Sequence, residues 1–427
     1  MTVVEAEAQS QIAAADLRSW FFYATVQTGI ACCVPVLVLG VALGQHLALS
    51  ALIGAVASGA ALVAVLATAT GFVGMRARRP TAVIIQRTFG SGGAKLVTGL
   101  IILTSFGWYG IQTEMLVRSV TPLLQASFGV AINRPLLTAF AGVLMSTTAI
   151  IGFRALGKVA YVAVPLLLSI ILVPLWRGFA THSIGELISA VPHGELYSFG
   201  MVVSIVSGTY MVGVTITPDL TRFLRTEKDT AIGVFLSLGL TYPLLLLLTA
   251  TLGVMYVTND FVAIMVQAGL AGAASLVLVL ATWTSNDKNL YEAALSLSAV
   301  LPRIKRWKLT AFAGLMGTVM ASAGIFDHFV DALIFLGIVV APISGVYIVD
   351  YLFERGRYSP ESPLPTLRTG PLLAWVGGIV FGVVTLPSTA HGLELLTATG
   401  VPTLDAVLAA SAIHLAMESI GSAERKL

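Results

Sequence analysis

The sequence predicts an all-α integral membrane protein of twelve transmembrane helices, arranged as two inverted five-helix repeats followed by a C-terminal pair. Three observations predict it. Hydrophobic residues make up 57% of the 427-residue chain and charged residues 11%, against roughly 25% charged in a soluble domain. Twelve apolar segments reach spanning length, at 20–42, 47–73, 93–121, 135–153, 157–177, 198–217, 230–256, 268–300, 307–325, 329–353, 371–388 and 402–420. About 20 residues of helix cross the hydrocarbon core, and helix satisfies every backbone polar group there. The third observation is that twenty of the twenty-four Lys and Arg residues fall on one side of this scheme.

That basic side collects Arg18; Arg76, Arg78, Arg79, Arg87 and Lys95; Arg154 and Lys158; Arg222, Arg225 and Lys228; Arg303, Lys305, Arg306 and Lys308; Arg355, Arg357 and Arg368; and Arg425 and Lys426. By the positive-inside rule it is cytoplasmic, with both termini. The remaining four are Arg118, Arg134 and Arg177 near the outer ends of spans, and Lys288 inside one. The first sixteen residues are polar and acidic, unlike a cleavable leader.

In chain order, 1–19 is a cytoplasmic tail and 20–177 is the first repeat, spans 1–5. Residues 178–197 form an external connection long enough for a short amphipathic helix, and 198–353 is the second repeat, spans 6–10. A Pro-rich cytoplasmic linker, 354–370, precedes spans 11 and 12 at 371–420 and a tail at 421–427. Five is odd, so the second repeat lies upside down relative to the first, a transporter plan with the ligand between the repeats.

That plan breaks the first helix of each repeat near the midplane. Span 1 carries Gln27, Thr28 and Gly29, with Pro35 after them; span 6 carries Ser207, Gly208 and Thr209, with Gly213 after them. Unwound backbone offers carbonyls to a cation and half-helix ends to a polar ligand. Cys32 and Cys33, adjacent in span 1, read as small apolar fillers. In span 3, Trp108 and Tyr109 sit centrally, away from the interfacial belts where aromatics gather. A flat face there suits stacking on a flat ring. Glu114 and Arg118, four residues apart, read as a structural ion pair or part of an outer vestibule.

The densest polar stretch is Ala281 to Tyr291, ATWTSNDKNLY, inside span 8. Ionisable groups at that depth are costly and mark function. The carbonyl of Ala281 with the hydroxyls of Thr284 and Ser285 makes a neutral oxygen set suited to sodium. Asn286 offers a donor and an acceptor to the amide-like edge of a heterocycle. Lys288 and Glu292 are placed to pair. Asp287 is compatible with capping a distorted segment, binding substrate, or carrying a proton.

These motifs resemble nucleobase–cation symporter family 1, the purine/cytosine permease family, and within it the cytosine permease branch. They are WTSNDKNLY in span 8, GWYG in span 3, RTFGSGG before it, TPDLTRF ending span 6, and APISGVYIVDYL in span 10. The resemblance implies a leucine-transporter-like fold, alternating access and uptake of a nucleobase or related heterocycle, coupled to sodium or protons. It implies that Trp108 stacks on the substrate ring, that Tyr210 covers the other face where the branch has Phe, and that Thr209 lies beside the ligand. It implies that Asn286 hydrogen-bonds the base, and that Val26 and Gly29 of span 1 join Ala281, Thr284 and Ser285 around the sodium ion. Gln27, Ser105 and Gly213 complete the expected substrate site, Ser105 standing where the branch has Gln.

The expected activity is sodium-coupled import of a cytosine- or purine-like ring across the plasma or inner membrane by a monomer in the lipid bilayer. The alternatives are proton coupling through Asp287 or Glu114 with an allantoin, hydantoin, uracil or thiamine-like substrate, and a ligand sensor that does not transport. An enzyme is not expected: no Ser/His pair or HExxH set is present, and the six His residues are scattered. Nor is a nucleic-acid partner expected.

Overall fold

The structure, a computed structural model, describes residues 12, 14–128, 133–301, 303–359, 362 and 364–424; the side chains of 14, 123, 126–128, 152–164, 299 and 421–424 are outside the description. Every regular element among the described residues is helical, apart from an isolated bridge between Arg18 and Leu224.

Six helical stretches are long and apolar enough to span a membrane alone, and Trp20–Ala31 with Val34–Leu43 form a seventh, bent by 61°. The other expected spans fall short of that test for physical reasons. Span 6 is broken into Phe199–Gly208, Met211–Thr215 and Pro218–Thr221. Span 8, Ala271–Val300, is a single helix whose polar cluster lowers its hydropathy. Span 10 does meet it, as Ile325–Phe353, although its helix is interrupted at Val340 between Phe329–Val339 and Ala341–Phe353, with Pro342 just beyond. Pro165–Phe179 and Thr369–Thr385 are shorter apolar helices.

One expected connection is missing. Helix runs unbroken over Arg134–Phe179, 46 residues, through the Arg154–Lys158 turn anticipated between spans 4 and 5. At 1.5 Å per residue this is about 69 Å, two membrane crossings' worth of helix. The side chains of Arg154 and Lys158 lie outside the described residues, as do Arg425 and Lys426. The connection after span 5 does hold the short helix expected there, Ile184–Ser189, started by a reciprocal bond pair between Ser183 and Glu186.

The apolar interior divides in two. A large core joins spans 1, 2, 6, 7 and 10 with parts of 3, 5, 8 and 12. A smaller one joins Phe106, Tyr109, Met145, Leu290, Ala294 and Ala313 of spans 3, 4, 8 and 9. Ala281 belongs to the first core and Leu290 to the second. The polar stretch of span 8 therefore lies along the seam between the two bodies.

The linker after span 10 is more than a spacer. The helix that carries span 3, Thr81–Phe128, is kinked at Gly90, φ 78°, a backbone conformation that glycine tolerates best. The linker pairs with the kink: Ser91 N–H donates to Pro365 O at 2.9 Å, Gly92 N–H to Thr366 O at 2.7 Å, and Arg368 N–H to Phe89 O at 3.1 Å. A Cβ on Gly90 would sit 2.8 Å from the Leu367 Cα. Beneath this seam the fully buried Asp350 accepts from Arg357, from Arg368 at 2.7 Å and from the Tyr358 hydroxyl at 2.6 Å, with His414 Nε2 at 3.2 Å.

Candidate functional site

A cavity of about 1230 Å³ opens at the end opposite the basic connections, with His46, Glu195, Asn259 and Asp327 at its rim. Its walls include Val34, Met115, Leu278 and Phe329. None of the residues expected in the site lines the cavity itself; Val34, Met115 and Leu278 lie within two helical turns of one, and Phe329 meets the Trp108 ring.

Span 1 breaks at Cys32–Cys33, later than the Gln27–Gly29 position anticipated, so the two free cysteines packed in or against the apolar core also sit at the hinge. The cause is Pro35, which has no N–H to return to Ala31 O. The Cys33 N–H donates to Ala31 O instead, at 2.9 Å. Gly29 O thereby loses its usual intrahelical donor, and a Cβ built on Gly29 meets nothing within 4 Å. Val26, one turn earlier, is half-buried, while Gln27 is buried and its amide has no hydrogen bond among the described residues.

In span 6 the break falls at Thr209–Tyr210, next to the expected Ser207–Thr209. The Thr209 hydroxyl donates back to Ile205 O at 2.9 Å. Tyr210 is buried against Tyr242, ring centroids 4.6 Å apart, and its own hydroxyl has no partner. Gly213 lies one turn on, where a Cβ would be 3.3 Å from the Tyr210 ring.

On span 3, Trp108 is half-buried and meets Phe329 of the cavity wall edge to face, centroids 6.3 Å apart. The Ser105 hydroxyl is turned back onto Ile101 O at 3.0 Å. One turn beyond Trp108 comes a residue the sequence reading missed. Gln112 is buried, and its Oε1 accepts from the Ser285 hydroxyl. Its Nε2 has no hydrogen bond among the described residues. The available signal was a polar side chain four residues after Trp108, on the same face.

In span 8 the two hydroxyls expected to hold a cation donate back to the carbonyl expected beside them, as Ser and Thr commonly do within a helix. The Thr284 hydroxyl lies 3.0 Å from Ala281 O and the Ser285 hydroxyl 2.8 Å from it. All three are neutral, hard donors, the chemistry a sodium ion takes. Asn286 is turned elsewhere. Its Nδ2 donates to Tyr109 O and to Thr113 Oγ1, both at 3.1 Å, and its Oδ1 accepts from Asn289. The amide expected on the base is thus committed to span 3, because residue 286 points into the smaller core while 284 and 285 lie on the seam.

Asp287 is 1% exposed, and neither carboxylate oxygen has a hydrogen-bond partner. Lys288 and Glu292 pair at 3.3 Å, half-exposed. Glu114 is an anchor at the cavity rim: one oxygen takes Arg118 at 2.6 Å and the other the Phe326 N–H at 3.0 Å, while Arg118 also reaches Asp327 at 2.5 Å.

The arrangement can hold a flat ring beneath a cavity and an ion beside it. Residues 15–371 match the family of permeases for cytosine/purines, uracil, thiamine and allantoin. The cytosine permeases of Escherichia coli K12 and O157:H7 are 29% identical over 306 residues, 71% of this chain and 71% of each relative. The inward-facing conformation of Mhp1 superposes with a TM-score of 0.81 at 17% identity, covering 98% of this chain and 95% of that one. Mhp1 in a closed conformation with bromovinylhydantoin bound, described as a nucleobase-cation-symport-1 family transporter, gives 0.79 at 18% identity over 97% and 96%. A Na+-coupled sialic acid symporter follows at 0.55 and 12% identity, over 94% and 96%.

Proposed function

Because the chain belongs to the permease family for cytosine/purines, uracil, thiamine and allantoin, we propose that it imports a nucleobase or related heterocycle by sodium-coupled symport. The ring stacks on Trp108 beneath Phe329, with Tyr210 on its other side. Gln112, Gln27 and Thr209 supply polar contacts to its edge. Asn286 supports the site from behind by holding Tyr109 O and Thr113. Val26, Gly29, Ala281, Thr284 and Ser285 would hold the sodium ion, whose role is to supply the gradient and a fixed positive charge.

The observation that carries the coupling is the bond from Ser285 to Gln112. One hydroxyl lies between both groups: its single proton can go to the Gln112 amide or back to Ala281 O, and an ion bound at Ala281 O and the hydroxyl oxygen would send it to the amide. An ion on Ser285 makes that hydroxyl a stronger donor and polarises the Gln112 amide towards the ligand. Ion and substrate then favour each other, and reciprocity is required of any coupling free energy. The basic end faces the cytoplasm, so the cavity opens outward.

The test is uptake of labelled cytosine, uracil, hypoxanthine and allantoin into proteoliposomes, driven in turn by a sodium gradient and a pH gradient. Sodium-driven accumulation of at least one ring is expected. Uptake that follows pH and ignores sodium would replace the ion, and tight binding without accumulation would make the protein a sensor.

A further inference from the structure

We propose that the connection between spans 8 and 9, at residues 301 and 303–308, is a docking surface for anionic phospholipid headgroups. Its charge is the first argument. Arg303, Lys305, Arg306 and Lys308 fall within six residues, and no Asp or Glu occurs between Glu292 and Asp327. Arg303, Lys305 and Lys308 are exposed, and none of them makes an ion pair among the described residues. Arg306 stacks over the Tyr291 ring of span 8, 4.3 Å from its centroid.

Other basic residues at this end are already engaged. Arg76 pairs with Glu227 at 2.6 Å, and Arg78 donates to the carbonyls of Arg222 and Leu224. Arg87 donates to Ser362 O, and Arg357 and Arg368 are held by Asp350. Among the described residues, the cations of the span 8–9 connection have only rings as partners, Tyr291 for Arg306 and Trp307 for Lys308, 5.6 Å from its centroid, so no carboxylate neutralises the cluster.

The second argument is the apolar pattern threaded through the charges. Leu301, Ile304 and Trp307 recur every third residue and are 42%, 42% and 52% exposed. An exposed Trp beside lysines is the composition of a segment lying in the headgroup region, with its apolar side towards the acyl chains. A soluble acidic partner would satisfy the charges but leave Ile304 and Trp307 in water; a membrane satisfies both. Because the connection carries the end of span 8, a headgroup held there braces the helix that bears the cation set.

The experiment titrates the purified full-length protein in neutral detergent with phosphatidylglycerol or phosphatidylcholine and counts bound lipid by native mass spectrometry. Each Lys or Arg at an anionic surface is worth roughly fivefold in binding. Arg303→Gln/Lys305→Gln/Lys308→Gln should therefore weaken phosphatidylglycerol binding by about a hundredfold while leaving phosphatidylcholine binding unchanged. Raising the ionic strength should erode the wild-type preference, which reads the same interaction should the triple variant not fold. Equal binding of the two lipids by the wild type would overturn the proposal, as would a preference that survives the triple substitution or high salt. Inorganic phosphate competing at the lipid's own concentration would also overturn it, by assigning the patch to a free anion.

Discussion

The two broken helices differ in what surrounds the break. In span 1 the turn at Cys32–Cys33 follows Gly29, whose face is open for 4 Å around. In span 6 the turn at Thr209–Tyr210 follows Gly208, whose missing side chain lets Leu333 O of span 10 approach. A Cβ on Gly208 would lie 2.1 Å from that oxygen. One break is held shut by packing; the other has open space beside Gly29, whose carbonyl lacks its usual intrahelical donor. A cation needs the second kind, since ligands closed off by packing cannot admit an ion. A stacked ring needs the first, because a rigid aromatic wall loses little entropy on binding.

The largest effect should come from filling the closed break. Gly208→Ala forces spans 6 and 10 apart, and overpacking of this sort costs about 1–3 kcal/mol or more. Uptake should be lost and the melting temperature in detergent should fall by several degrees. A variant with wild-type stability would mean that the two spans are not in close contact.

Next comes the ring itself. Trp108→Ala should raise the substrate dissociation constant between about fivefold and a hundredfold, since stacking contributes roughly 1–3 kcal/mol per base. Isothermal titration at saturating sodium reads this directly. A change under twofold would remove Trp108 from the site and leave Phe329 as the aromatic contact.

A smaller, more discriminating effect separates Thr284→Ala from Ser285→Ala. Both should weaken sodium stimulation of uptake. Only the second orphans the Gln112 amide, and an unsatisfied buried group costs about 1–3 kcal/mol. Ser285→Ala should therefore also weaken substrate binding, measured without sodium, by about fivefold or more. If both variants changed sodium-free binding equally, the Ser285–Gln112 bond would not be the link between the sites.

The sequence was most readable where the signal is local. The apolar segments, the sided basic residues, the short helix in the 178–197 connection, and the cluster at Ala281–Tyr291 each lie within a few turns of helix. The position of the first break was misread because Gln27–Gly29 looked more flexible than Cys32–Cys33. The deciding residue is Pro35, which frees the carbonyl four residues before it. Gln112 and the direction of Asn286 depend on partners 173 and 177 positions away. No periodicity within span 3 or span 8 records which face meets which. The pairing of the linker with Gly90 spans 275 residues from Ser91 to the Thr366 carbonyl, so composition showed only a Pro-rich spacer.

The smallest expected effect is the sharpest test of the difference between the breaks. Gly29→Ala adds a methyl group into open space at a helical position. Alanine is the better helix former by about 1 kcal/mol, so the melting temperature should hold or rise slightly. If Gly29 O is a sodium ligand, however, the methyl group stiffens the segment just before the hinge. Half-maximal sodium for uptake should then rise about two- to threefold, the equivalent of under 1 kcal/mol, while substrate affinity at saturating sodium stays at the wild-type value. Destabilisation comparable to Gly208→Ala would show that the space around Gly29 is closed in the working protein. An unchanged sodium dependence with unchanged stability would leave span 1 outside the cation site and place the ion on span 8 alone.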